Sequence, residues 1–111
     1  MTLKEDQKAI IDEIINLAKD YEYSKSNQII EFAIKEWQED LRNNKETYDK
    51  IYKKVMKNEH YLAQRYANLD DMKRIQVVAA LYIEEIANEE LFEQLDDNLK
   101  SAVFNIAKIE A

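Results

Sequence analysis

The sequence predicts an all-α protein, a single compact bundle of five or six antiparallel helices, and three observations predict it. Glycine, proline and cysteine are all absent, which removes the usual makers of tight turns, strand breaks and cross-links. Apolar residues recur at spacings of three and four along most of the chain, the period of a helix with one buried face. Serine, asparagine and aspartate stand just before these periodic segments, where N-caps belong. At 111 residues the chain has the length of one domain, residues 1–111, which removes about two-thirds of its unfolded surface from water.

Each element follows in order. Thr2 with Glu5 spells a capping box, and Ile10, Ile11, Ile14, Leu17, Ala18 and Tyr21 carry a first helix to about Tyr21. Ser24 and Ser26 offer the next N-cap, ahead of a stripe of Ile30, Ala33, Ile34, Trp37 and Leu41 that ends at Asn43 and Asn44. Without glycine, asparagine is the residue best able to take the left-handed conformation at a helix end. A third helix is expected from Lys45 to about Ala67, with Tyr48, Ile51, Tyr52, Val55, Leu62 and Tyr66 inward and Asn58 as an interruption. Asn68 or Asp70 caps a fourth, whose run VVAALYI is apolar all round and therefore central. Asn88, then Asp96 or Asp97, start a short helix around Leu91 and Leu95 and a last one carrying Leu99, Val103, Ile106 and Ile109. Of the tyrosines, some of Tyr21, Tyr23, Tyr61 and Tyr66 are expected at the surface.

Charge is distributed unevenly along this order. The net charge is −7, and residues 81–99 hold all of it in Glu84, Glu85, Glu89, Glu90, Glu93, Asp96 and Asp97, with no base among them. The rest of the chain has sixteen acids and sixteen bases. Residues 42–57 are basic by four charges, and Lys50, Lys53, Lys54 and Lys57 form a stripe opposite the tyrosines of the same helix. The longest apolar run, Val77 to Ile83, is seven residues against the roughly 20 of a membrane span. The first residues show no basic region followed by an apolar run, so a cytoplasmic protein without membrane attachment is expected. Heavy use of lysine, asparagine, isoleucine and tyrosine matches the AT-rich genes of bacterial mobile elements and phages.

Most chemistry is excluded by the residues that are missing. There is no thiol for a nucleophile or a metal, and no glycine for a phosphate loop, a dinucleotide fingerprint or a calcium loop. A serine triad would need His60, the single histidine, with one of three serines. A di-iron Glu-x-x-His pair fails because Lys57 stands three residues before His60. Glu89, Glu90 and Glu93 spell E-E-x-x-E and Glu93 with Asp96 spells E-x-x-D, spacings that could share Mg²⁺ with a phosphate. They resemble the motifs of metal-dependent all-helical nucleotide pyrophosphohydrolases. In that family, however, the two motifs lie on separate helices, and here they overlap at Glu93. No catalytic residue, cofactor or metal is therefore expected, and the chain is read as a non-enzyme.

Part of the acidic segment has a local explanation. Glu89 and Glu90 after Asn88, and Asp96 or Asp97 at the last helix, sit where a helix dipole favours carboxylates by about 0.3–1 kcal/mol each. Glu84, Glu85 and Glu93 have no such reason. The expectation is a protein inhibitor that blocks a basic partner, with Glu84, Glu85, Glu89, Glu93, Asp96 and Asp97 as its contact surface and Tyr82 and Phe92 as anchors. In size, charge and helicity the chain is similar to immunity proteins and antitoxins of nuclease-type toxins and to phage anti-defence inhibitors. The expected partner is a basic protein, rather than nucleic acid or a small-molecule substrate. The alternative is a nucleic-acid-associated or regulatory module acting through the lysine stripe of residues 50–57, and the third reading is the metal-dependent all-α nucleotide pyrophosphohydrolase that the carboxylate motifs resemble.

Overall fold

The computed structural model describes residues 2–110. It is all-α, with no strand among the described residues, and its five helices are α1 (Glu5–Gln38), α2 (Asn44–Arg65), α3 (Asp71–Ile83), α4 (Glu89–Glu93) and α5 (Asp97–Glu110). Their contacts divide the chain into two compact units, residues 1–20 with 66–111 and residues 21–65.

The first two expected helices are one. α1 continues through Ser24 and Ser26 for 34 residues, so neither serine is an N-cap, and Ser26 is buried on the helix flank. A serine inside a helix costs only about half a kcal/mol, and no proline or glycine is present to break the chain there. The capping box fails as well. The helix starts at Glu5 and its flanking residue is Lys4, whose carbonyl accepts from Lys8, while the Leu3 amide donates to Asp71 Oδ2 at 3.0 Å.

The remaining punctuation is largely where local chemistry places it. Asp70 caps α3 by accepting from the Lys73 amide, Asn88 caps α4 by accepting from the Leu91 amide, and Asp96 Oδ1 accepts from the Leu99 amide at 2.9 Å to start α5. Asn43 does not end a helix but begins α2, accepting from the Glu46 amide at 2.8 Å. α1 ends instead in a Schellman turn. The Leu41 amide donates to the Glu36 carbonyl, the Asp40 amide to that of Trp37, and Asp40 takes the left-handed conformation at φ 61°. Asn68 is left-handed after α2, as its residue type allows, and Asn58 does not interrupt α2.

In the first unit, Ile11, Ile14, Ile15 and Ala18 of α1 are buried with Ile75, Val78, Ala79 and Leu81 of α3 and Leu99 and Val103 of α5. α3 packs on α5; Val77, Val78, Ala79 and Leu81 of its apolar run are buried, whereas Tyr82 and Ile83 at the end of the run, expected central, are exposed. Arg74 ties α3 to α1 through Asp12 Oδ1 at 2.8 Å and reaches the Leu69 carbonyl. Gln7 of α1 is buried and accepts from the Asp96 amide at 2.8 Å, which satisfies the cap residue's own donor. Ile109 is 84 % exposed, in the final turn beyond the last buried residue of the helix, Ala107.

The second unit is a helical hairpin. Arg65 pairs with Glu22 at 2.9 Å at one end, and Lys50 and Arg42 flank Glu36 at 3.3 and 3.4 Å toward the turn, which is the pairing of antiparallel helices. Burial pushes the Glu36 carboxyl up, but the Lys50 hydrogen bond and the charges of Arg42 and Lys50 prevail and hold it below the ordinary glutamate value. Within α2, the Asp49 hydrogen bond and charge hold the Lys45 ammonium above its ordinary value. The inward expectation for Tyr48, Tyr52 and Val55 is overturned, since all three are exposed, as are Trp37 and Leu41 of the α1 stripe. Only Ser26, Ala33, Thr47 and Leu62 are buried here. Two helices offer each other one seam, and small residues fill most of it.

Candidate functional site

The acidic segment lies wholly in the first unit, on the C-terminal end of α3, the turn after it, α4 and the start of α5. α3 closes with a second Schellman turn. The Ile86 amide donates to the Leu81 carbonyl and the Glu85 amide to that of Tyr82. Glu84 is the C-cap and Glu85 is left-handed at φ 62°. That position suits glycine or asparagine, and a residue with a Cβ is costly there. A carboxylate also faces the negative end of the helix dipole at this point, and no basic residue occupies the last turn of α3.

The turn carries the chain past a cluster of three rings. Tyr82 stacks on Phe92 at 5.2 Å between centroids, Phe104 meets Tyr82 edge-on at 5.4 Å, and Phe92 and Phe104 are tilted at 5.7 Å. Such pairs contribute about 0.5–1.5 kcal/mol beyond their buried area. Phe92 is 6 % exposed and forms the floor, whereas Tyr82 and Phe104 are 42 % and 43 % exposed. Above them opens a cleft of about 860 Å³ with Ile83, Glu85, Glu89 and Lys108 on its walls. A smaller depression of about 290 Å³ adjoins it between the rings, Glu89 and Glu93.

The structure thus places Tyr82, Glu85 and Glu89 on the larger cleft and Tyr82, Glu89, Phe92 and Glu93 on the smaller depression, and Phe92, expected as an anchor, is buried beneath the other rings. Asp96 is turned instead to capping α5, and Asp97 stands in that helix's first turn. Glu89 and Glu90 occupy the first turn of α4 behind Asn88. Glu93 has a base after all, Lys100 Nζ at 3.1 Å. Phe104 and Lys108 escaped the sequence reading. They are four residues apart on α5, off the buried Leu99 and Val103 stripe, and a large ring placed off the apolar face of an amphipathic helix was the available signal.

No family model matches this chain, and no curated protein or solved structure is detectably similar to it. The arrangement therefore has to be read from its own chemistry. Among the described residues, no three histidine, aspartate or glutamate side chains converge into a group that could hold a metal ion, and no helix is long and apolar enough to cross a membrane. Lys50, Lys53, Lys54 and Lys57 all lie on α2, in the other unit, where Lys50 is engaged by Glu36. What the cleft offers is two exposed aromatic rings under a rim of carboxylates. That pairing suits a flat or aliphatic anchor flanked by cationic side chains.

Proposed function

We propose that this chain is a small acidic binding protein that inhibits a basic protein partner, in the manner of an immunity protein or antitoxin for a nuclease-type toxin or of a phage anti-defence inhibitor. The observation that carries the reading is Glu85. It has the wrong residue type for its backbone conformation and the wrong charge for the helix end it terminates, yet it stands on the wall of the cleft beside Tyr82. Asp40 closes α1 in the same left-handed conformation, so it is the position of Glu85 on the cleft wall beside an exposed ring, together with that strain, that supports a role other than folding.

In this reading Tyr82 and Phe104 receive an apolar anchor of the partner, while Glu85, Glu89 and Glu93 meet its lysines and arginines at the rim. The first unit has fifteen acids against seven bases, a net charge of −8, and the hairpin has eight against nine. A basic partner is steered to the first unit, which raises the association rate and makes it fall with salt.

The test is capture from the source cell with wild type, with Glu85→Lys/Glu89→Lys/Glu93→Lys, and with Lys50, Lys53, Lys54 and Lys57 changed to glutamine. Far-ultraviolet circular dichroism checks that each variant is folded. A basic protein held by wild type and by the glutamine variant, and lost from the charge-reversed one, is the expected result. Capture that survives the reversals and disappears with the lysines refutes the proposal and favours a nucleic-acid or regulatory module built on α2.

A further inference from the structure

On the reading of the acidic cleft as a binding site, its walls are specific enough to name the side chain that enters it. Phe92 is buried and stacks under Tyr82 at 5.2 Å, and Phe104 meets Tyr82 edge-on at 5.4 Å, so each exposed ring is held in place by the other two. Tyr82 and Phe104 both line the cleft and keep about two-fifths of their surface open to solvent. Held aromatic rings attract cations through the negative side of their quadrupole.

The same walls carry charge. Glu85, Glu89 and Lys108 line the cleft with the rings. All three are exposed, and among the described residues none of their charged groups has a hydrogen-bonded or ion-paired partner. A wholly apolar occupant covers the two carboxylates without offering them a donor, which costs free energy. A lysine offers donors, but as a compact and strongly hydrated charge it gives up much of its water to lie against a ring. An arginine meets both demands. Its methylene stem is apolar, its planar guanidinium is weakly hydrated and stacks on aromatic faces, and its fork of N–H donors matches carboxylates. At about 860 Å³ the cleft has room for the whole side chain. The net charge of the first unit draws such a cation in, and among the described residues lining the cleft Lys108 alone opposes it.

We infer that the cleft is an arginine socket: the protein partner anchors there through one arginine side chain, whose guanidinium lies against Tyr82 and Phe104 and donates to Glu85 and Glu89. The apolar anchor and the first cation of the rim are then the same residue.

The test uses the full chain and acetylated, amidated tripeptides, Gly-X-Gly, in which X is arginine, lysine, leucine or citrulline, the neutral isostere of arginine. Titrations are followed by backbone amide resonances. The arginine peptide is expected to shift Tyr82, Glu85, Glu89 and Phe104 and to bind about tenfold tighter than the citrulline peptide, with lysine and leucine also weaker. Glu85→Gln/Glu89→Gln is expected to erase the advantage of arginine over citrulline. Lys108→Gln, which removes the opposing charge, is expected to tighten arginine binding about twofold. A leucine or citrulline peptide that binds as tightly as arginine overturns the inference, as does arginine binding that Lys108→Gln weakens. No shift at these four residues with any peptide up to roughly 50 mM overturns it too, and the wild-type series needs no variant to fold. The inhibitor reading fails separately: it falls if no basic protein is captured from the source cell, whatever the peptides do, and it survives a preference for leucine.

Discussion

Replacing Glu85 by asparagine should make the protein more stable and a poorer binder. Glu85 holds φ 62° at the residue after the α3 cap. A side chain with a Cβ costs about 1–2 kcal/mol in this conformation, and asparagine recovers much of that by bonding locally, without glycine's entropic penalty of roughly 0.5–1 kcal/mol. Removing the carboxylate from the negative end of the dipole adds about 0.3–1 kcal/mol, at the low end because Glu85 is exposed. The combined gain is about 1–2 kcal/mol. With an unfolding entropy of about 2.1 cal/mol/K per residue, this raises Tm by roughly 4–9 °C. Thermal melts by circular dichroism read the shift directly, and Glu85→Gln separates the charge from the backbone contribution. If Glu85→Asn melts at or below the wild-type temperature, Glu85 is where it is for stability, and the argument from misplaced charge collapses. If it melts higher and still captures the partner with wild-type affinity, the strain is real but serves something other than binding.

Two other predictions follow from features of the fold. Asp70→Ala should cost about 1 kcal/mol by removing the α3 cap, whereas Ser24→Ala, in the middle of α1, should be neutral or stabilising by up to about 0.5 kcal/mol; a loss of Tm in the second variant would restore a helix start near Ser24. Glu36 has a depressed folded pKa, so its contribution is present above the ordinary glutamate value and is lost as pH falls through the depressed one. Glu36→Gln should therefore be less stable than wild type at neutral pH, with the gap closing in acid; a gap independent of pH in urea titrations would show that the Arg42 and Lys50 charges do not act on it.

How much of this was legible before folding depends on how far each feature reaches along the chain. Caps act over three residues, so helix starts at Asn68 or Asp70, at Asn88 and at Asp96 or Asp97 could be placed from their own neighbourhoods, and the apolar run of α3 announced its buried residues, though not the exposure of Tyr82 and Ile83 at its end. The concentration of charge in residues 81–99 was equally plain. The Ser24 and Ser26 starts failed because serine caps a helix only where the chain has already left helical geometry. With continuous apolar spacing on both sides and no breaker, the helix continued. Tyr48, Tyr52 and Val55 were read as inward because a periodic stripe shows which face seeks cover but not whether the same chain provides it. In the hairpin, a seam of Ser26, Ala33 and Thr47 leaves them outside.

The cleft divides along the same line. The residue types of its rim, Glu85 and Glu89, and its first ring, Tyr82, were visible as a local excess of acid beside an aromatic. Phe104, which completes the exposed pair, comes from another helix and approaches Tyr82 only because α3 packs on α5. Helix type, the starts of α3, α4 and α5 and the charge allocation depend on neighbours within a turn or two, and the sequence by itself determined them. Which rings meet, which carboxylate sits at a left-handed residue and which apolar stripe is left bare depend on long-range packing, and only the tertiary structure decided those.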